Sequence, residues 1–421
     1  MLQSPAHVAG LSEADRHRFV RRNAALLALA QGSIWLTVGV FVAASPVAVA
    51  RFSGRPWLGG FLFTIWSLSL AAGAQLTGLV MDRRGRRPGL AGGHTLLALA
   101  SITACFSVLN ASTIGLMFAC VLGGAGAGAA LLGRAAVADM YPPERRGTAV
   151  GFMLAAGTVG AILGPQLVQV THLLAPGAGQ FGQMALAWVL AAVISAGALV
   201  CVLALRPDPK ELAPKPAVMQ ATAKRPLRTL LEMPRLRAAI FAVALAQFAM
   251  VGLMSVYGIA VSARGIGIGL IALILSAHFS GMFAFSPAWG IFLDRVGRRE
   301  GLLGAAALLM AGGFLAGVPQ AAISALGLFL VGLGWSGSFL GATAVVSDVT
   351  RPLERATALG FTDLVTAGAS AAGSLSLGVL LEWSGFPTVG ASVGSLLLLG
   401  LLALVLLPVF AWRPAAAAKA S

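Results

Sequence analysis

Apolar runs of about 20 residues, each long enough to cross a hydrocarbon core of about 30 Å, recur along the whole chain. No water reaches the peptide groups inside a bilayer, so each run must close its own backbone hydrogen bonds. Helices follow, and an open sheet is excluded. Twelve runs can be read: 24–48, 57–80, 89–109, 114–138, 148–172 and 183–205, then 238–262, 268–293, 301–320, 323–347, 357–381 and 388–411. Only 10% of the 421 residues are charged and 58% are hydrophobic, a balance foreign to soluble domains of this length. The expected class is an all-α polytopic membrane protein with 12 transmembrane helices.

The formal net charge of +15 invites a nucleic-acid reading, but the placement of the charges excludes it. Of 29 Lys and Arg, all but four fall in the N-terminal arm, the C-terminal tail or alternate loops. Arg51, Arg55 and Arg264 fall in the opposite loops, and Arg134 lies within an apolar run. This bias places both termini in the cytoplasm, with the basic ends facing anionic lipid headgroups. The arm, residues 1–23, carries Glu13, Asp15 and four arginines before any apolar run, which is unlike a cleavable signal peptide. Cys105, Cys120 and Cys201 stand alone in separate runs, so no disulfide framework is expected.

The chain repeats itself. "GLVMDRRGRR" (Gly78 to Arg87) recurs as "GIFLDRVGRR" (Gly290 to Arg299), offset by 212 residues. "VADMYPPERRGTAVGF" (Val137 to Phe152) recurs as "VSDVTRPLERATALGF" (Val346 to Phe361), offset by 209. Two unrelated motifs at nearly one offset mark an internal duplication. The expected organisation is an arm (1–23), a first bundle (24–205), a cytoplasmic linker (206–236), a second bundle (237–412) and a cytoplasmic tail (413–421).

The first motif resembles the G-x-L-x-D-R-x-G-R-R signature between helices 2 and 3 of the major facilitator superfamily. It matches at Gly78, Asp82, Arg83, Gly85, Arg86 and Arg87. The second copy matches at Gly290, Asp294, Arg295, Gly297, Arg298 and Arg299. The resemblance implies two six-helix bundles around a central cavity, a transporter rather than an enzyme, and alternating access. Gly78 is expected to let helices approach closely. Asp82, alone among four arginines, needs a cationic or helix-terminal partner; a partner from the other half would latch the cytoplasmic side. Gating is therefore assigned to Gly78, Asp82, Arg83, Gly85, Arg86 and Arg87, and to Asp294, Arg295 and Arg298; the plain alternative is that these charges only set topology.

Signals of proton-coupled export are weaker. "GTVGAILGP" (Gly157 to Pro165) resembles a glycine-proline motif of antiporters, but Val168 and Gln169 stand where a further glycine pair is usual. Cys120 replaces the arginine usual early in helix 4, and the first run holds Gln31 and Thr37 but no acid. Asp363 and Arg134 are the charges clearly inside runs, either a structural or gating pair or a coupling site.

The most specific chemistry lies in runs 7 and 8. Met250 and Met254 are four residues apart, as are His278 and Met282, so each pair shares one helix face. At 1.5 Å per residue, Met250 and Met282 fall roughly 18 and 16 Å from the cytoplasmic end, Met254 and His278 roughly 24 and 22 Å. Three thioethers and one imidazole form a soft donor set suited to Cu(I). Methionine is also an ordinary gap-filler, so either pair alone carries little. The combination is similar to the CcoA-type copper importers, whose hallmark is M-x-x-x-M in helix 7 with H-x-x-x-M in helix 8. That resemblance implies copper uptake across the bacterial cytoplasmic membrane to supply cytochrome c oxidase assembly. Copper is then cargo, no cofactor is permanently bound, and partners would be copper chaperones or oxidase assembly factors. The rival expectations are a proton-coupled small-molecule or drug efflux antiporter, with Asp363 and Arg134 as its key charges, and a membrane scaffold or sensor.

Overall fold

The computed structural model describes residues 12–213 and 225–410. Arm residues 1–11, linker residues 214–224 and the tail from 411 onward lie outside the described residues. Fifteen α-helices account for nearly all of what is described, and no strand occurs among those residues.

The first helix, α1 (Glu13–Ser53), is continuous through arm and first span. Ser12 caps it by accepting from the Asp15 amide, and Glu13 and Asp15 sit in the first turn, where the helix dipole favours acids. No proline interrupts it before Pro46, so the arm extends the span rather than hinging from it. Spans 2 and 3 are α2 (Trp57–Arg84) and α3 (Arg86–Leu109). Span 4 is broken into α4 (Thr113–Ala130) and α5 (Gly133–Met140), and span 5 into α6 (Pro143–Leu163) and α7 (Gln166–Leu174) at Pro165. Span 6 is α8 (Gly179–Leu203).

A short α9 (Leu227–Leu231) leads into α10 (Pro234–Ser262), which is span 7. Span 8 is broken into α11 (Ile268–Phe283) and α12 (Ser286–Arg295), with Pro287 in the first turn of α12. Spans 9 and 10 are α13 (Arg298–Ala316) and α14 (Ala321–Val349). Last comes α15 (Pro352–Leu406), whose apolar stretch of 50 residues is about 75 Å long, more than twice a bilayer core. Gly385 breaks it in the left-handed region (φ 77, ψ 171), so α15 is two successive spans joined at a turn. Ten helical spans and this double one make twelve crossing segments.

The chain divides into two compact units. The first comprises residues up to Gln220 together with Gly265–Ser276; the second comprises Ala221–Arg264 and everything from Ala277 onward. Within each unit, glycines let helices touch. Gly128 of α4 lies against the Leu70 carbonyl of α2, and Gly373 of α15 against the Phe248 carbonyl of α10, where a Cβ would collide with backbone. Gly78 does not work this way: within its unit a Cβ there meets nothing within 4 Å. The close approach between α2 and α4 is made instead at Gly73, against Ala125.

Candidate functional site

Each signature loop is a tight turn between consecutive spans. Gly85 (φ 94) and Gly297 (φ 121) hold backbone conformations that side chains with a Cβ rarely adopt. In the first unit the arginine at the start of α3 is the hub: Arg86 Nε donates to Asp139 Oδ2 at 2.7 Å and Nη1 to Asp82 Oδ1 at 3.3 Å. In the second unit Arg298 repeats this, with Nε to Asp348 Oδ2 at 3.1 Å and Nη1 to Asp294 Oδ1 at 2.6 Å. Asp139 and Asp348 belong to the second repeated motif, so the two duplicated motifs meet in space once per unit. Within its own unit, the cationic partner of Asp82 is Arg86, four residues on; Arg83 and Arg295 are exposed.

Below Gly85 sits an acid that the motif does not contain. Asp208 accepts from the amides of Arg86 and Arg87 at 3.0 and 2.9 Å and from the Lys210 amide at 2.9 Å. It therefore caps α3 from a segment that follows span 6. That segment is held in turn by the arm, through Arg16 to Leu212 O, Arg22 to Ala204 O and Asn23 to Pro207 O. In the second copy Glu300 occupies the equivalent space beneath Gly297. The first copy has Pro88 at the matching position, which is why its cap comes from elsewhere. Losing an N-cap costs about 0.5–2 kcal/mol. Asp208→Ala should therefore raise amide exchange at the start of α3 roughly two- to thirtyfold. Peptide-resolved hydrogen exchange checks this; unchanged protection there would show that the cap is not needed.

A second missed pair ties the linker to α15. Arg225 donates from Nη2 to Glu354 Oε2 at 2.7 Å, and from Nε and its backbone amide to Oε1. Arg225 holds the buried Glu354 carboxyl well below the usual carboxylate range. Leu230 of α9 is buried beside Leu236, Val346 and Ala358, so polar and apolar contacts fix the same junction.

The four soft donors all lie in the second unit, and all are buried: His278 at 0%, Met250 and Met282 at 3%, Met254 at 7% exposure. His278 and the helix that carries Met250 and Met254 both pack on α14. His278 Nδ1 lies 2.7 Å from the Leu328 carbonyl, and Gly332, one turn on, leaves the space that the imidazole fills. A carbonyl only accepts, so Nδ1 carries the proton and the Nε2 lone pair is free. Nε2 is buried and has no hydrogen-bond partner. On α10, Gln247 accepts from Trp335 Nε1 of α14 at 2.6 Å. Met250 and Met254 follow Gln247 at i+3 and i+7 on one stripe, opposite the Phe248 and Gly252 face that packs on α15.

Those contacts also fix depth. Trp335 is two turns from Leu328 on α14, about 10 Å, and Met254 is seven residues beyond Gln247 on α10, again about 10 Å. Met254 thus reaches the level of Leu328 and His278, while Met250 and Met282, one turn inward on their own helices, share the next level. Directly after Met282 the helix breaks: Pro287 cannot donate to the carbonyl of Phe283, and Ser286 Oγ turns back to the Met282 carbonyl at 3.4 Å. Discontinuous helices are a recurring feature of transporter binding sites. Among the described residues no three His, Cys, Asp or Glu side chains cluster, so a metal would rest on thioethers and one imidazole. His94 is also buried with an unpartnered Nδ1, but no methionine lies three or four residues from it.

Arg134 lies in the first turn of α5, and Asp363 lies within α15. Both side chains are exposed, and they belong to different units. The break between α4 and α5 falls just before Arg134.

The profile of the Major Facilitator Superfamily matches residues 27–267 and 239–421, and so takes in both units. The chain belongs to the major facilitator superfamily. Among curated major facilitator proteins, it is 29% identical over 395 residues to the uncharacterized transporter YddS of Bacillus subtilis, covering 90% of this chain and 86% of that one. It is 29% identical over 396 residues to the riboflavin transporter RfnT of Brucella anthropi, covering 92% and 96%. Among solved structures, the xylose transporter XylE from E. coli superposes with a TM-score of 0.68 over 93% of this chain and 100% of that one, at 15% identity. The human organic anion transporter MFSD10 gives 0.65 over 91% and 99%, at 19% identity; at such identities these likenesses speak to fold alone. As a major facilitator protein the chain is a polytopic membrane protein and a secondary transporter, with two signature loops built on Arg86 and Arg298.

Proposed function

We propose that this major facilitator protein imports copper, as Cu(I), across the bacterial cytoplasmic membrane and supplies cytochrome c oxidase assembly. Met250, Met254, His278 and Met282 carry the ion. The supporting observation is the unpartnered Nε2 of His278. A buried nitrogen without a partner costs about 1–3 kcal/mol, and a soft cation recovers that cost. Donation of the other ring nitrogen to a backbone carbonyl is the arrangement found behind metal-bound histidines, since it fixes the tautomer and raises ligand basicity. Thioethers add no negative charge to the membrane interior and exchange readily, which suits release. Alternating access moves the ion, and the Arg86 and Arg298 networks latch one end of each unit.

A second reading is an aromatic organic solute. The likeness to a riboflavin transporter favours it, as does a ladder of rings in the same unit: Phe279–Phe283, Phe283–Trp335 and Trp335–Phe339, with centroids 6.5, 6.1 and 5.2 Å apart. Isotopic copper uptake separates the two. Cells lacking the protein should regain uptake with wild type, and a Met250→Ala/Met254→Ala double variant present at equal level should restore at most about one-fifth of it. Equal uptake by that variant contradicts the ligand assignment. Riboflavin accumulation without copper uptake favours the organic solute.

A further inference from the structure

A cavity lies in the first unit, at the end that carries its signature loop. Its volume is about 280 Å³, and Glu13, Arg16, His17, Val20, Met140, Tyr141, Pro142 and Arg145 line it. The arm contributes Glu13, Arg16, His17 and Val20, which at i, i+3, i+4 and i+7 form one stripe of α1. The opposite wall is the extended Tyr141–Pro142 step and the first turn of α6, which brings Arg145. Val20 and Met140 are buried and give the cavity an apolar floor, while Arg16, His17 and Arg145 are exposed at its rim.

The charge is specific to one kind of guest. Two guanidinium groups and an imidazole converge on the opening against one carboxylate, Glu13. Arg16 spends one donor on the Leu212 carbonyl, which fixes the side chain and leaves four N–H donors unspent. The α6 N-terminus adds the positive end of a 21-residue helix dipole beside Arg145. The volume is below the range of about 300–1,000 Å³ typical of drug-sized ligands, so the guest is a compact group. Hydrophobic floor, cationic rim and helix terminus together match a phosphate ester with a short apolar attachment.

We propose that this cavity binds an anionic phosphate group, and that α1 and the α5–α6 turn together form the site. A lipid headgroup or a soluble phosphate would present the same chemistry. Because Arg16 and Asn23 also hold the segment that carries Asp208, occupancy here is placed to stiffen the signature loop.

The test uses the full-length protein, delipidated in detergent and offered equal phosphatidylglycerol and phosphatidylcholine, with retained lipid read by native mass spectrometry. One arginine at an anionic surface contributes about 1 kcal/mol, or roughly fivefold. Arg145→Gln should lower retention of phosphatidylglycerol by about that factor, and His17→Gln should lower it less. Arg55→Gln, at the other membrane face, should leave it unchanged. A second arm measures thermal stabilisation by inorganic phosphate alone. Preference for phosphatidylglycerol that persists in excess phosphate identifies the headgroup; phosphate stabilisation without lipid preference identifies the soluble anion. Neither effect in wild type, or equal loss in Arg145→Gln and Arg55→Gln, overturns the proposal.

Discussion

His278→Ala should lower copper uptake at least tenfold in cells that depend on this protein, with its amount in the membrane unchanged. The imidazole is the strongest donor of the four, and it is already oriented: Nδ1 is committed to Leu328 and Nε2 faces no partner. Gly332→Ala should act in the same direction without touching a donor atom, because a Cβ there presses on the carbonyl and ring of His278. Losing the support behind a metal-bound histidine typically costs 10–100-fold in affinity, so this variant should raise the half-saturating copper concentration by a similar factor. Uptake assays over a range of copper concentrations check both. Wild-type uptake by His278→Ala would remove the imidazole from the site.

Asp139→Asn should have the next largest effect, through the conformational equilibrium rather than through cargo. The Arg86–Asp139 pair is under one-third exposed on either side, and a hydrogen bond between charged groups contributes about 1.5–3 kcal/mol. If one access state alone makes that bond, its loss shifts the equilibrium roughly 10–150-fold. Asp348 is half-exposed at 51%, so the matching Arg298 pair is screened and Asp348→Asn should shift the equilibrium by no more than about fivefold. Cysteine-accessibility labelling in a background without Cys105, Cys120 and Cys201 measures the shift. Equal labelling of wild type and Asp139→Asn would show that the pair does not gate.

Sequence periodicity carried the class and the count of spans because lipid leaves a backbone few choices. The duplication was visible as well, but not its reason: Asp139 and Asp348 recur because each receives the arginine of its own unit's loop. Asp208 and Arg225 gave no sequence signal. Their partners lie 122 and 129 residues away, and a lone acid or base in a basic linker resembles any solvated charge. Pro88 was the available clue, since it replaces the glutamate that serves the second loop. Runs 148–172 and 268–293 read as unbroken in the sequence, yet they break at Pro165 and Pro287, where an amide hydrogen is missing; no proline marks the change between α4 and α5. Spacing put the methionine pair and the His–Met pair at matching depths; that both helices turn toward α14 depends on Gln247, Trp335 and Gly332, which no local pattern reveals.

The most direct test is X-ray absorption at the copper edge on purified protein loaded with one equivalent of Cu(I). Thioether sulfur with a single imidazole nitrogen in the first coordination sphere is the predicted result, with the nitrogen scattering lost in His278→Ala. Copper that fails to bind stoichiometrically, or that shows the same coordination in wild type and His278→Ala, would contradict a cargo site built on these four residues.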